Sequence, residues 1–260
     1  MKMNIAIKKK PSRRKYIIIT VAFLLFIFAL LFFILLTQEQ KSDPANEKIF
    51  REAAAKQLNK DPNDLTDDDL KKITFLHIYI NTLSDIIFLQ EFPNLEHLQL
   101  EYIRFPKNKI PKWMKVLSKL GIFDIKKKFA IDLSPLDNLQ NLKSLGIIDT
   151  PIKNIESISK LTNLEYLIID SIDDSDFELL RGLINLRTLG LGNSNITDIE
   201  PIKELKKLEL VDLSSTQISN LDPIKNLNNI VSLRLLYCEN ITDEQVEELQ
   251  KALPSLEIER

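Results

Sequence analysis

Apolar residues recur along this chain with a period of 22. Leu142-x-x-Leu145-x-Ile147 returns as Leu164-x-x-Leu167-x-Ile169, Leu186-x-x-Leu189-x-Leu191, Leu208-x-x-Val211-x-Leu213 and Ile230-x-x-Leu233-x-Leu235. The same spelling precedes this run at Ile73-x-x-Leu76-x-Ile78 and Leu95-x-x-Leu98-x-Leu100. It also falls at Leu120-x-x-Phe123-x-Ile125, after a 25-residue interval, and closes the series at Leu253-x-x-Leu256-x-Ile258 after 23. The alternation inside each block predicts nine short strands. Beyond the strand, apolar residues follow at every third position: Ile152, Ile155, Ile158 and Leu161 in one unit, Ile196, Ile199, Ile202 and Leu205 in another, Ile218, Leu221, Ile224 and Leu227 in a third. A spacing of three predicts a tight 3₁₀ return rather than a full α-helix. A unit this small cannot bury its apolar face alone, so the fixed period predicts a solenoid of stacked repeats.

The pattern resembles the leucine-rich-repeat family, in particular the 22-residue subclass seen in bacterial internalin-like proteins, over residues 43–260. The resemblance implies an α/β solenoid with a curved parallel β-sheet on its concave side and short turns on its convex side. It also implies a ladder of small polar side chains at one turn position, which here holds Asn81, Thr150, Thr216 and Cys238. Ile103, Lys128 and Ile172 depart from that ladder, so those turns need another arrangement.

Solenoid ends need covers. Asp43-Pro44 reads as an N-cap and first helical residue, with Ile49, Phe50, Ala53, Ala54 and Leu58 on one face, and residues 66–70 read as a second, short helix. At the other end Thr242-Asp243, then Val246, Leu249 and Leu253, predict a terminal helix before the last strand. The predicted organisation is a basic tail (1–15), a transmembrane helix (16–37), a linker and helical cap (38–72), repeats (73–240), and a capping helix with the last strand (241–260).

The membrane assignment rests on residues 16–37, which hold no charged side chain. At about 1.5 Å per residue such a helix crosses a hydrocarbon core of about 30 Å. Seven basic residues and no acid precede it, so the positive-inside rule keeps the N-terminus cytoplasmic and exports the repeats. A cleaved signal peptide is the alternative, but the apolar run is longer than such peptides use and no A-x-A-like site follows it.

Outside the tail, 28 basic residues stand against 37 acidic ones, a net charge of −9. Residues 102–129 are the exception, with nine basic residues and one acid, a local +8. Within this island Trp113, Val116, Leu117 and Leu120 share one helical face, while Lys112, Lys115 and Lys119 share another. Together with Lys126 and Lys127 they form either a solvated face or a surface for an anionic envelope polymer, lipid headgroups or an acidic partner.

One Cys and two His exclude a Cys-based zinc site or a disulfide framework within one chain. No nucleophile elbow, phosphate-binding loop, zinc-protease motif or EF-hand loop occurs. Asp170, Asp173, Asp174 and Asp176 are either Ca²⁺ ligands or turn and helix-start acids. No enzyme activity, cofactor or nucleic-acid partner is expected.

Strand alternation assigns the surface open to a partner. It places Phe75, His77, Tyr79, His97 and Tyr102 in one patch on the first two strands, with Tyr166, Ile168, Arg234 and Tyr237 farther along. Such a mixture of rings, aliphatics and Arg suits a protein-binding hot spot. The expected function is therefore a membrane-anchored, extracytoplasmic repeat module that binds a protein through its concave face. The alternative is an envelope scaffold or regulator of another membrane component, acting through the transmembrane helix and the basic island.

Overall fold

The computed structural model describes residues 44–80, 86–102 and 130–260. The expected transmembrane helix, the cap residue Asp43, the ladder residues Asn81, Ile103 and Lys128, and the lysines Lys112, Lys115, Lys119, Lys126 and Lys127 lie outside the described residues. Among the described residues no helix is long and apolar enough to cross a membrane.

The repeats build one parallel sheet of eight strands. Its order is β1 (Phe75–Ile80), β2 (His97–Tyr102), β4 (Ser144–Ile148), β6 (Tyr166–Ile169), β7 (Thr188–Gly190), β8 (Leu210–Asp212), β9 (Ser232–Arg234) and β10 (Glu257–Glu259). Two short strands on the other side, β3 (Ile131–Asp132) and β5 (Ile152–Lys153), pair with each other. The register is continuous: Leu76, Leu98, Leu145, Leu167, Leu189, Val211 and Leu233 are partners in sequence and all are buried. The returns are 3₁₀ helices, among them Ile155–Lys160, Glu200–Glu204 and Asp222–Ile224, whose apolar residues at spacing three close the core from the convex side.

The register corrects one expectation. β2 is hydrogen-bonded directly to β4, with His97 opposite Ser144 and Leu100 opposite Ile147. The motif Leu120-x-x-Phe123-x-Ile125 therefore supplies no strand between them. Ile131 pairs with Ile152, so the chain is back in its repeat there; His97 to Ser144 is 47 residues, 25 more than one 22-residue repeat, and this excess falls between Tyr102 and Ile131. The basic island is an insertion rather than a rung. Spelling alone misleads because a parallel strand exists only where neighbours on both sides accept its backbone.

Both ends are covered. Helix α1 (Pro44–Leu58) buries Phe50, Ala54 and Ala55 against the first repeat, and Gln57 Nε2 donates to the carbonyl of Phe75 on the edge strand at 2.6 Å. Arg51 donates to the carbonyls of Pro62 and Leu65, tying down the following turn. The short helix α2 (Asp67–Leu70) starts with a reciprocal capping box between Thr66 and Asp69. The Asp69 carboxylate is buried yet accepts from Lys60 Nζ at 2.7 Å and Lys72 Nζ at 2.9 Å, which hold its pKa far below the usual range. At the far end, Thr242 and Gln245 form a second capping box at the start of a helix over Asp243–Ala252, and Gln245 Nε2 also donates to the Ser219 carbonyl. Leu249 of that helix is fully buried.

Candidate partner-binding face

Because side chains alternate on a strand, the register that buries the leucines turns three other rows outward. The first runs Phe75, His97, Ser144, Tyr166, Thr188, Leu210, Ser232 and Glu257. The second runs His77, Gln99, Gly146, Ile168, Gly190, Asp212, Arg234 and Glu259, and the third begins Tyr79, Glu101 and Ile148. At the first two strands Phe75 and Tyr79 are exposed and His77 stacks at a tilt on Tyr79, with ring centroids 4.4 Å apart. His77 Nε2 lies 3.4 Å from the Glu101 carboxylate, and His97 is half-buried beside Phe75.

Two site residues are placed differently from the sequence reading. Tyr102 is the register partner of Ile80 at the end of β2, and the partner of Tyr79 is Glu101. Tyr237 stands beyond β9 in a turn rather than on the concave rows. Its φ is 61°, and it is 81% exposed. The same left-handed position recurs at Asp149, Ser171, Asn193 and Ser215, one per repeat, where small polar residues are at less cost than a bulky ring.

The middle of the face is apolar. Tyr166 and Ile168 are 45% and 46% exposed, with small partners on both sides: Ser144 and Thr188 beside Tyr166, Gly146 and Gly190 beside Ile168. A Cβ at Gly190 would lie 3.3 Å from Ile168 Cγ1, so the glycine lets the isoleucine lean across the next strand. Leu210 extends this apolar strip. Farther along, Arg234 bridges Asp212 at 3.4 Å and Glu259 at 2.7 Å, which raises the arginine's affinity for its proton and fixes its orientation on the face.

The acids at the other ends of the strands have structural partners. Asp170 accepts the Asp149 backbone N–H at 3.0 Å, and burial, with Asp149 nearby, raises its pKa. Asp173 caps the helix Asp174–Glu178 through the N–H groups of Ser175 and Asp176. Asp174 accepts from both the backbone and the hydroxyl of Thr197. Among the described residues no group of three His, Cys, Asp or Glu is arranged to hold a metal ion.

The turn ladder is present at Thr150, Thr216 and Cys238, all buried and hydrogen-bonded to backbone carbonyls. Ile172 departs from it as expected, and its backbone N–H lies 3.3 Å from the hydroxyl of Ser194, a ladder residue the sequence reading passed over. Residues 184–226 match the family model described as Leucine Rich repeats (2 copies). These are leucine-rich repeats. The solenoid is similar to an internalin from Listeria monocytogenes, at 26% identity and a TM-score of 0.59, over 85% of this chain and 59% of that one. The chain thus spans less than two thirds of that internalin. A leucine-rich-repeat protein of Leptospira interrogans shares the fold at 20% identity and a TM-score of 0.50, over 74% of this chain and 50% of that one. No curated protein sequence matches the chain.

Proposed function

We propose that this protein is a membrane-anchored, extracytoplasmic leucine-rich-repeat module that binds a protein partner through its concave face, and that it is not an enzyme. The observation that carries this reading is the cluster of exposed Tyr166, Ile168 and Leu210 in the middle of the face, with exposed Phe75 and Tyr79 as a second apolar patch on the first strand. Leucine-rich-repeat proteins typically mediate protein binding, and aromatic residues and Arg are the usual anchors of such interfaces. The uncharged run at residues 16–37, preceded by seven basic residues, supports the anchor and the orientation.

Substitution tests this directly. Tyr166→Glu should leave the fold intact, since the side chain points away from the core, and should weaken capture of a cross-linked partner by about 1 kcal/mol or more. Leu167→Ala, one residue on, should instead destabilise the solenoid by about 2–5 kcal/mol. Tyr166→Glu unfolding like Leu167→Ala, or folding with partner capture unchanged, defeats the concave-face reading.

A second reading draws on the insertion. Since β2 pairs with β4 and the excess over one repeat falls between Tyr102 and Ile131, the lysines of that stretch, including Lys112, Lys115, Lys119, Lys126 and Lys127, would serve an anionic envelope polymer, lipid headgroups or an acidic protein. Association lost on changing Lys112, Lys115 and Lys119 to Gln, with concave-face partners retained, would favour this scaffold role.

A further inference from the structure

A groove of about 460 Å³ runs along the edge of the sheet where the strands begin, apart from the apolar strip. Two rows of side chains line it. The first holds Glu96, Lys143, Glu165 and Arg187, each on the residue just before a strand, with the backbone N–H of each of the last three donating to the carbonyl of the one before at 2.7–2.8 Å. Glu209 continues this row beyond the groove. The charges alternate strictly, and neighbours are paired: Lys143 lies 2.9 Å from Glu96, and Arg187 contacts both Glu165, at 3.7 Å, and Glu209.

The second row, two residues earlier, holds Asn141, Asn163, Asn185 and Lys207. The amide nitrogens of the three asparagines donate to the carbonyls of Pro93, Gln140 and Thr162 in the preceding repeats. That fixes the amide planes. Lys207 Nζ donates to the Asn185 oxygen at 2.7 Å, while among the described residues the oxygens of Asn141 and Asn163 have no hydrogen-bond donor.

This lining selects a ligand class by elimination. Adjacent rungs are about 4.8 Å apart, well inside a screening length of about 8 Å. An anion or a cation of any length therefore meets attraction and repulsion in turn. An apolar ligand would strip water from charged groups without replacing the hydrogen bonds. A neutral polyol does neither. Of two vicinal hydroxyls, one donates to a carboxylate and its neighbour accepts from the adjacent ammonium or guanidinium, a pairing that an alternating row offers at every rung. The amide oxygens of the second row add acceptors at the same interval, which suits a chain of sugar units rather than a single one.

We propose that this groove binds a linear, uncharged saccharide, with Glu96, Lys143, Glu165 and Arg187 reading its hydroxyl pairs. The site does not depend on the concave face or on what binds there.

Calorimetric titration of the full chain in lipid nanodiscs, with cellotetraose, fully N-acetylated chitotetraose, their dimers and tetragalacturonate, tests the proposal. A neutral tetramer should bind at about millimolar or tighter and at least about tenfold better than its dimer, because it spans more rungs. The cellotetraose and chitotetraose arms separate a plain glucan from an amino-sugar source. Lys143→Gln with Arg187→Gln should weaken binding about tenfold or more, while Tyr166→Ala leaves it unchanged. If the double variant melts early, Lys143→Gln alone, with an intact melt, replaces it and should show a smaller loss of the same kind. Absence of binding by both neutral tetramers, tighter binding of tetragalacturonate, or full affinity in the folded charge variants would overturn the assignment.

Discussion

The hydroxyl of Thr216 and the thiol of Cys238 lie 3.5 Å apart in neighbouring repeats, and both reach the carbonyl of Leu213, at 2.6 Å and 3.1 Å. One carbonyl thus serves two turns, and the ladder couples repeats through side chains as well as through the sheet. Both groups are buried, so removing one donor leaves an acceptor with fewer partners in a water-free site.

Thr216→Val should therefore lower stability by about 1–3 kcal/mol, although it keeps the side-chain volume. Cys238→Ser, which preserves a donor, should cost less than Cys238→Ala. Urea denaturation monitored by circular dichroism checks the order. The native thiol should resist alkylation until the last repeats open, giving a second readout at the same position.

Gly190→Ala tests how the floor of the concave face is built. The added methyl meets Ile168 Cγ1 at 3.3 Å, but Ile168 is half exposed and free to turn away. Stability should then hold or rise by about 0.5–1 kcal/mol, because alanine loses less backbone entropy than glycine. Partner capture through Ile168 should fall at the same time. A marked drop in melting temperature would mean that Ile168 is locked rather than adaptable.

A buried acid and a half-buried one predict opposite pH behaviour. Lys60 first, then Lys72 and Thr66, hold the pKa of Asp69 below its unfolded value, so its contribution is present above about pH 4 and is lost as pH falls through the folded pKa. Asp69→Asn should lower the melting temperature at pH 7, by an amount that shrinks in acid. For Asp170, burial raises the pKa, so the ionised form disfavours folding as pH rises from about 4 through the folded pKa. Asp170→Asn keeps an oxygen for the Asp149 N–H and should raise the melting temperature at pH 7, with the gain vanishing below about pH 4. Melts of both variants across pH 3–8 give the two signs.

Topology is tested on cells. Protease added to spheroplasts should digest residues 38–260 and spare the basic tail, and the mature N-terminus should be Met1 or its immediate neighbour. A protected repeat domain, or a mature N-terminus near residue 40, would remove the anchor from the proposal.

Much of the fold is legible in the spelling because burial in a solenoid is periodic. Leu145, Leu167 and Leu189 sit at one depth in one row and must all be apolar, and the capping helices announce themselves through Pro44, Thr66 and Thr242. Pairing is less legible. Leu120, Phe123 and Ile125 repeat the motif, yet β2 and β4 meet without them, and only the register reveals this. The phase at strand ends is also hidden, since Tyr102 and Tyr237 fall where alternation is giving way to the turn. The alternating row from Glu96 to Glu209 is visible at the repeat period. It is easily passed over because charged residues before a strand read as ordinary solvent-facing positions.

The direct bonding of β2 to β4 has a consequence for how this chain can diversify. The chain leaves the eight-stranded sheet at Tyr102, returns to the fold at Ile131 in the two-stranded sheet and rejoins the larger sheet at Ser144, directly beside the strand it left, so the 28 residues between Tyr102 and Ile131 contribute no rung between β2 and β4. Length and charge between these two points can drift, or be exchanged for another segment, at little expense to the framework. The periodic spine and the stretch that leaves it are thus separate heritable traits, and selection can act on either one alone.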